Sequence, residues 1–112
     1  MTVSEHAPLG VLEEQVMIAV LRTRDEAFGM NVRRELEEVT GRDFAIGAVY
    51  ATLDRLEAKG LLNSTRTMSG APTRRCFELT RVGARALADT HAMRAKLWHG
   101  VDLQRLLAPS RA

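Results

Sequence analysis

The apolar residues of this chain change their spacing once, just after Gly60, and this change restricts the folds that the chain can adopt. Before Gly60 they recur every three or four residues, which is typical of a helix with one buried face. The residues concerned are Ile46, Val49, Leu53 and Leu56. After Gly60, the segments 61–68 and 73–79 read as strands around a turn rich in glycine and proline, residues 69–72. We therefore predict one helix followed directly by one hairpin.

The outer face of the predicted helix consists almost entirely of small residues and two cations. Its members are Gly47, Ala48, Ala51, Arg55, Ala58 and Lys59. A helix with such a face can lie close against another molecule, where Arg55 could contact a phosphate or a guanine edge. Tyr50 lies at the border of this face, so its ring adjoins the buried stripe and its hydroxyl can reach the outer rim.

The predicted hairpin is basic, because it carries Arg66, Arg74 and Arg75 against Glu78. Strand alternation sends the adjacent Arg74 and Arg75 to opposite sides, and the pattern leaves open which of them faces a ligand. Thr73 offers a hydroxyl group to a phosphate. A small-residue helix followed by a cationic hairpin is the pattern of a winged helix-turn-helix. In that arrangement the helix enters the DNA major groove and the wing contacts the flanking backbone.

Periodicity predicts three further helices, so the expected fold class is mainly α with a small β-hairpin wing (α+β). The first two helices span about residues 9–23 and 28–41, and the last runs from an N-cap at Thr80 to about Leu107. A helix of that length measures on the order of 40 Å, more than a small domain can cover. We therefore predict a DNA-binding domain in residues 1–80 and a C-terminal dimerisation helix in residues 81–112.

Charge is distributed unevenly along the chain, although the formal net charge is only +2. Residues 1–54 carry 5 basic and 10 acidic side chains, whereas residues 55–112 carry 11 basic and 4 acidic ones. This asymmetry favours a polyanion-binding surface in the second half. A single cysteine, Cys76, excludes an intrachain disulfide and fits a reducing compartment. The chain shows no export signal and no apolar run that could span a bilayer, so we expect a cytoplasmic protein without membrane contact.

The sequence contains none of the familiar catalytic motifs, and we expect neither an enzyme nor a cofactor. His91 and His99 are eight residues apart on one helix face. A metal site normally needs more ligands at closer spacing, so no metal is predicted.

Several segments, taken in order over about residues 9–90, resemble the PadR-like family of transcriptional regulators. They are LGVLEEQVMIAVL, Phe28-Gly29, GAVYATLDRLEAKGLL, and RRCFELT followed by Gly83. The third segment is the most specific of these matches. The chain departs from the family pattern at Phe28, where a tyrosine is usual, and at Cys76, where an aromatic residue is usual.

The resemblance implies a sequence-specific transcriptional repressor that binds double-stranded DNA at a palindromic operator as a homodimer. It associates the tyrosine that matches Tyr50 with DNA contact. Some members of the family bind flat aromatic compounds where two C-terminal helices meet. This implies an effector site at Trp98, with Leu97 and Val101 beside it. The alternative is that Trp98 only packs in the dimer interface.

Two other interpretations are compatible with the same pattern. The small-residue face could dock a protein, which would make the chain a winged-helix interaction module without sequence-specific DNA binding. A sensor of the MarR or ArsR type is the second alternative, but metal sensing of the ArsR type usually needs ligand clusters that this sequence lacks.

Overall fold

The computed structural model describes residues 9–67 and 74–109. Four long helices, a two-stranded antiparallel sheet and two short helical segments make up this part of the chain. In order they are α1 (Val11–Thr23), a 3-10 turn (Arg24–Glu26), α2 (Gly29–Thr40), α3 (Ile46–Ala58), β1 (Leu62–Arg66), β2 (Arg75–Leu79), α4 (Arg81–Trp98) and α5 (Gln104–Leu107). This mainly helical arrangement with a hairpin confirms the predicted fold class.

Helix α1 lies at the centre of the core. Val16 and Met17 are fully buried and Val20 is nearly so, and the helix packs against α2, α3, α4 and β2. Its outer side leaves Ile18 and Leu21 exposed. Because four elements share its apolar surface, α1 fixes how the other helices are arranged around it.

Helices α2 and α3 form the helix-turn-helix. The turn between them is stabilised by Glu37, whose carboxylate accepts a hydrogen bond from the Phe44 backbone amide at 3.0 Å and pairs with Arg33 at 3.4 Å. The amide hydrogen bond is the main cause that lowers the pKa of Glu37 below its ordinary value. Helix α3 buries three of the four side chains that its period predicts, whereas Ile46 is only partly buried. The buried set also includes a threonine. These residues are Val49, Thr52, Leu53 and Leu56.

The hairpin follows α3 at once, because Gly60 adopts a left-handed backbone with φ +77° that ends the helix. Strands β1 and β2 pair from Leu62 opposite Leu79 to Arg66 opposite Arg75. Both are shorter than the predicted segments 61–68 and 73–79, because the described ladder stops at Arg66 and Arg75. Met68, Thr73 and the predicted turn between them, residues 69–72, lie outside the described residues.

Helix α4 begins as predicted, with Thr80 as its N-cap. The Thr80 hydroxyl accepts a hydrogen bond from the Gly83 amide at 2.9 Å and donates one to the Gly60 carbonyl at 2.7 Å. The predicted end near Leu107 is wrong, because α4 ends at Trp98 and the separate short helix α5 follows. Gly100 breaks the helix with φ +79°, a conformation in the left-handed region that glycine favours. Residues 81–107 therefore do not form one continuous helix.

Candidate nucleic-acid interface

The outward side of α3 is an open surface of small side chains, as the sequence predicts. Gly47, Ala48, Ala51 and Ala58 are all exposed. A methyl group added at Gly47 would meet no atom within 4 Å. The 13 residues of α3 span about 20 Å, so a flat partner can approach the helix backbone over much of that length.

The two cations predicted on this face, Arg55 and Lys59, both lie beside Glu13 of α1. Lys59 Nζ is 2.8 Å from Glu13 Oε2, and Arg55 Nε is 3.8 Å from the same oxygen. The hydrogen bond from Lys59 is the main cause that lowers the pKa of Glu13 below its ordinary value. Both cations remain half exposed, at 53% for Arg55 and 50% for Lys59. They flank the small-residue surface on its α1 side.

Tyr50 borders the surface on the opposite side, where it packs on the start of α2. A side-chain Cβ at Gly29 would lie only 2.3 Å from the Tyr50 ring. Only glycine therefore leaves room for the ring in this position. Tyr50 is 37% exposed, in agreement with the prediction that it adjoins both the core and the outer rim. The pair Phe28-Gly29 thus includes the residue on which Tyr50 rests.

A hollow of about 230 Å³ lies between the start of α2, Tyr50 and the two strands. Its lining consists of Phe28, Met30, Tyr50, Arg66, Arg74 and Arg75. The Arg74 guanidinium stacks over the Phe28 ring at 4.2 Å from the centroid, a geometry that cation–π attraction favours. Arg66 and Arg74 are both exposed. The structure therefore brings three predicted site arginines, two of them exposed, and Tyr50 to one concave surface.

The Arg75 guanidinium, in contrast, is already paired with two carboxylates of the protein. Its Nη1 atom donates to Asp54 Oδ1 at 2.8 Å and its Nη2 atom donates to Glu57 Oε1 at 2.6 Å. These carboxylates, Asp54 first, raise the pKa of Arg75 above its ordinary value. The two adjacent arginines therefore have different environments, as strand alternation predicts.

Sequence reasoning missed Asp54, an acidic residue 57% exposed on the surface that we predicted to be small and cationic. Its spacing of three residues from Glu57 was the available signal, because side chains three apart on a helix are neighbours. The spacing indicates an acidic pair, but it does not identify the cation that neutralises it.

The three residues predicted to bind an effector are exposed. Leu97 is 69%, Trp98 59% and Val101 52% accessible. Leu97 and Trp98 close α4, whereas Val101 lies after the break, where its amide donates to the Trp98 carbonyl at 2.9 Å. The three residues therefore do not lie on one helix, as the predicted helix to about Leu107 would have placed them. Among the residues that the structure describes, no group of three or more acidic, histidine or cysteine residues could hold a metal ion, and no helix could cross a membrane.

Two helices in a helix-turn-helix, the second with an open face and followed directly by a basic hairpin, define a winged helix-turn-helix protein of the DNA-binding class. A family model described as the transcriptional regulator PadR-like family matches residues 17–89. The chain therefore belongs to the PadR-like family of transcriptional regulators. It is a DNA-binding transcription regulator, as its sequence predicts.

Solved structures of this family have the same fold. A PadR family transcriptional regulator from Eggerthella lenta is 28% identical, with a TM-score of 0.66 over 89% of this chain and 90% of that one. A PadR-like transcription factor from Bacteroides fragilis is 27% identical, with a TM-score of 0.68 over 79% and 84%. A PadR-like regulator from Bacillus cereus, at 20% identity and a TM-score of 0.70 over 90% and 95%, shares the fold. No curated protein sequence matches the chain significantly.

Proposed function

We propose that this protein is a repressor that binds a palindromic operator as a homodimer, with α3 in the major groove and the hairpin on the flanking backbone. One observation carries the proposal: the open small-residue surface of α3 adjoins a hollow whose exposed arginines, Arg66 and Arg74, lie beside Tyr50. The open surface allows α3 to approach the base edges in the groove. The adjacent arginines can bind the phosphates of the DNA backbone.

Small residues let the backbone of α3 approach the floor of the groove, where base edges present their donors and acceptors. The first half of a recognition helix generally makes these contacts, and here it carries Gly47, Ala48 and Ala51. Arg55 lies one turn further on and is half exposed. Its guanidinium is suited to the paired acceptors of a guanine once it leaves Glu13.

The hollow beside Tyr50 suits a backbone phosphate. Arg66 and Arg74 supply the charge, and the Tyr50 hydroxyl can donate a further hydrogen bond. Because Arg74 is already stacked on Phe28 at 4.2 Å, its guanidinium loses less conformational freedom when it binds. We therefore assign Arg66, Arg74 and Tyr50 to contact with the DNA backbone, together with Thr73 as the sequence predicts.

Replacement of Arg74 by alanine tests this assignment. We expect weaker binding to every duplex alike, and a salt dependence of log K that is flatter by about one unit, because a phosphate contact carries no sequence information. Fluorescence anisotropy with two unrelated duplexes at several salt concentrations measures both quantities. Arg85→Ala, an exposed arginine on α4, is the control. An unchanged salt slope in Arg74→Ala would remove this residue from the interface.

Exposed apolar residues at the end of α4 support dimerisation through that helix. Leu97 and Trp98 are 69% and 59% exposed and lie beyond Thr90, the last buried residue of the helix. Adjacent exposed apolar side chains of this size generally mark an interaction surface, and a two-fold homodimer is the commonest assembly. Two copies related in this way can place α3 in major grooves about 34 Å apart, which requires a palindrome. Repression then follows from occupancy of the operator.

We expect Leu97→Glu to convert the dimer into a monomer, because each copy would bring a charge into the apolar contact. The exposed position of Leu97 in one chain means that the fold itself should be unaffected. Light scattering and circular dichroism measure assembly and folding separately. Val39→Glu, at a position 57% exposed in α2 and outside the dimerisation segment, is the matched control. A dimer that survives Leu97→Glu would place the interface elsewhere.

We also propose that a planar aromatic effector binds where two Trp98 rings approach each other, near Leu97 and Val101. An exposed indole offers a large flat surface for stacking. Such a ligand can release DNA only if it binds better to a dimer whose helices are wrongly spaced for the operator. Titration of phenolic acids and planar dyes should therefore quench tryptophan fluorescence and release operator DNA together. Quenching without release would contradict the role of an effector.

Selection of bound sequences from random duplex DNA is the decisive test of the proposed function. A palindromic consensus would support both the operator and the dimer. Recovery without any consensus would favour the alternative of a winged-helix module that binds proteins. Binding of such a module to its partner should also show little dependence on salt.

A further inference from the structure

We propose that Arg75 is a positioning residue that clamps the hairpin to α3, and that it sets where Arg66 and Arg74 meet the DNA instead of contacting DNA itself. The inference rests on the proposed DNA interface and assigns Arg75 a different role from its neighbour. The clamp is defined here as Arg75 of β2 with Asp54 and Glu57 of α3.

In the clamp, two carboxylates bind different nitrogen atoms of the Arg75 guanidinium. Its Nη1 atom lies 2.8 Å from Asp54 Oδ1 and its Nη2 atom lies 2.6 Å from Glu57 Oε1. The Arg75 side chain is only 27% exposed and lies 4.8 Å from the centroid of the buried Phe77 ring. A guanidinium that serves two carboxylates and packs on the core is poorly placed to serve a phosphate as well.

Glu57 ties both strands to the helix. Its second oxygen, Oε2, accepts a hydrogen bond from Ser64 Oγ of β1 at 2.6 Å, while Oε1 holds Arg75 of β2. The Ser64 bond is the first cause, and Arg75 a further one, that lowers the pKa of Glu57 below its ordinary value. One carboxylate thus receives a donor from each strand.

The clamp also compensates a repulsion within the sheet. Arg66 and Arg75 are directly opposite each other in the strand register, and like charges in that position are destabilising. Asp54 and Glu57 supply two negative charges to one member of the pair. Arg66 can therefore stay exposed without forcing the strands apart.

The clamp lies at the end of the described ladder where it can set the position of the wing relative to α3. The other end of the hairpin is fixed to the chain after α3, by bonds from the Leu61 amide to the Leu56 carbonyl at 3.0 Å and from the Thr80 amide to the Leu61 carbonyl at 3.1 Å. Arg75 lies at the opposite end of the described ladder, beside Arg74. The residues that follow Arg75 are also tied to the chain before α2, since Cys76 bridges Phe28 and the Phe77 amide donates to the Ala27 carbonyl at 3.0 Å. Neither of these bonds reaches α3, so the ion pair of Arg75 is the contact that sets the position of this end of the described ladder relative to α3.

The double variant Asp54→Asn/Glu57→Gln distinguishes positioning from simple electrostatics. It removes two negative charges from the DNA side, so electrostatics alone would strengthen binding. The clamp instead requires weaker binding to the duplex recovered by selection, by about tenfold, a size typical of coupled neighbours. Binding to a scrambled duplex of the same composition should not weaken. Glu78→Gln, which removes an exposed charge from the same hairpin, is the control and should not weaken operator binding.

A charge exchange provides a rescue. Arg75→Glu should bind the selected duplex poorly, and Arg75→Glu/Glu57→Arg should recover much of the affinity because the pair is restored with opposite polarity. Circular dichroism verifies folding, and if a variant does not fold, Arg75→Lys retains the charge but loses the two-pronged geometry. This substitution should reduce the ratio of selected to scrambled binding without flattening the salt slope.

The outcomes separate the clamp from the function on which it rests. If the wild-type protein selects no consensus, the proposed function fails. If the wild type selects one and Asp54→Asn/Glu57→Gln binds it as tightly or more tightly, the clamp is wrong and the DNA interface stands. Adding Arg75→Gln to Asp54→Asn/Glu57→Gln removes the charge without leaving an unpaired carboxylate. A salt slope about one unit flatter than that of the double variant would make Arg75 a phosphate ligand after all.

Discussion

A Gly83→Ala variant is expected to lose about 3 kcal/mol of folding free energy, at the upper end of the range for overpacked sites. The reason is a close approach between α4 and the chain after α3. A Cβ atom at Gly83 would lie 2.0 Å from the Leu61 carbonyl oxygen and 2.9 Å from its carbon. These are backbone atoms whose neighbours are fixed, since Leu61 and Leu62 are both buried. The contact cannot be relieved by the rotation of a side chain.

Chemical denaturation followed by circular dichroism measures this loss, at equal protein concentration for both chains. Gly47→Ala is a closely matched control, because Gly47 also lies in the first turn of a helix but has no neighbour within 4 Å. Alanine there should raise stability by about 0.5–1 kcal/mol, the usual difference between the two residues in a helix. A Gly83→Ala variant as stable as the wild type would show that α4 can move away from Leu61 at little cost.

Replacement of Ala51 by phenylalanine is expected to reduce operator affinity by at least about a hundredfold, since several base contacts of about 1–3 kcal/mol each would be lost together. Ala51 is exposed and lies in the middle of the small-residue surface of α3. A large ring there would hold the helix away from the floor of the groove. The wing would still contact phosphates, so salt-dependent binding to a scrambled duplex should persist.

Anisotropy titrations with the selected and the scrambled duplex, at two salt concentrations, measure this difference. Ala88→Phe introduces the same ring at an exposed position of α4 and should leave both affinities unchanged. Thermal unfolding should change only by the helix-propensity difference between the two residues, about 0.5 kcal/mol, and by the same amount in Ala88→Phe, because both alanines are exposed. Equal losses for the two duplexes would indicate that this surface does not read bases.

Local patterns predicted most of the fold because each of them depends on a few neighbouring residues. The period of α3, the stop at Gly60 and the N-cap at Thr80 are properties of one or two turns of chain. The end of α4 was predicted wrongly for a related reason. Apolar residues continue beyond Trp98 at helical spacing, and this pattern outweighed Gly100, although glycine in a left-handed conformation is a common helix terminator.

The candidate interface was predictable in its location but not in its electrostatics. The sequence indicates that Arg55, Lys59, Arg74 and Arg75 lie on exposed elements, and the structure agrees for each element. The sequence does not indicate which of these cations has an acidic neighbour, since the acidic partners come from other parts of the chain. Glu13 lies 46 residues from Lys59, and Asp54 lies 21 residues from Arg75.

The sequence alone determined the order of helices and strands, the buried and open sides of α3, and membership of the winged helix-turn-helix class, because hydrophobic periodicity is written into consecutive residues. Only the tertiary structure decided that Arg75 is held by α3 while Arg74 stacks on Phe28. It also decided that Gly83 must lack a side chain, since the Leu61 backbone approaches it, and that the Tyr50 ring packs on Gly29. Such contacts join residues that are distant in sequence, and they exist only after the helices have packed around α1.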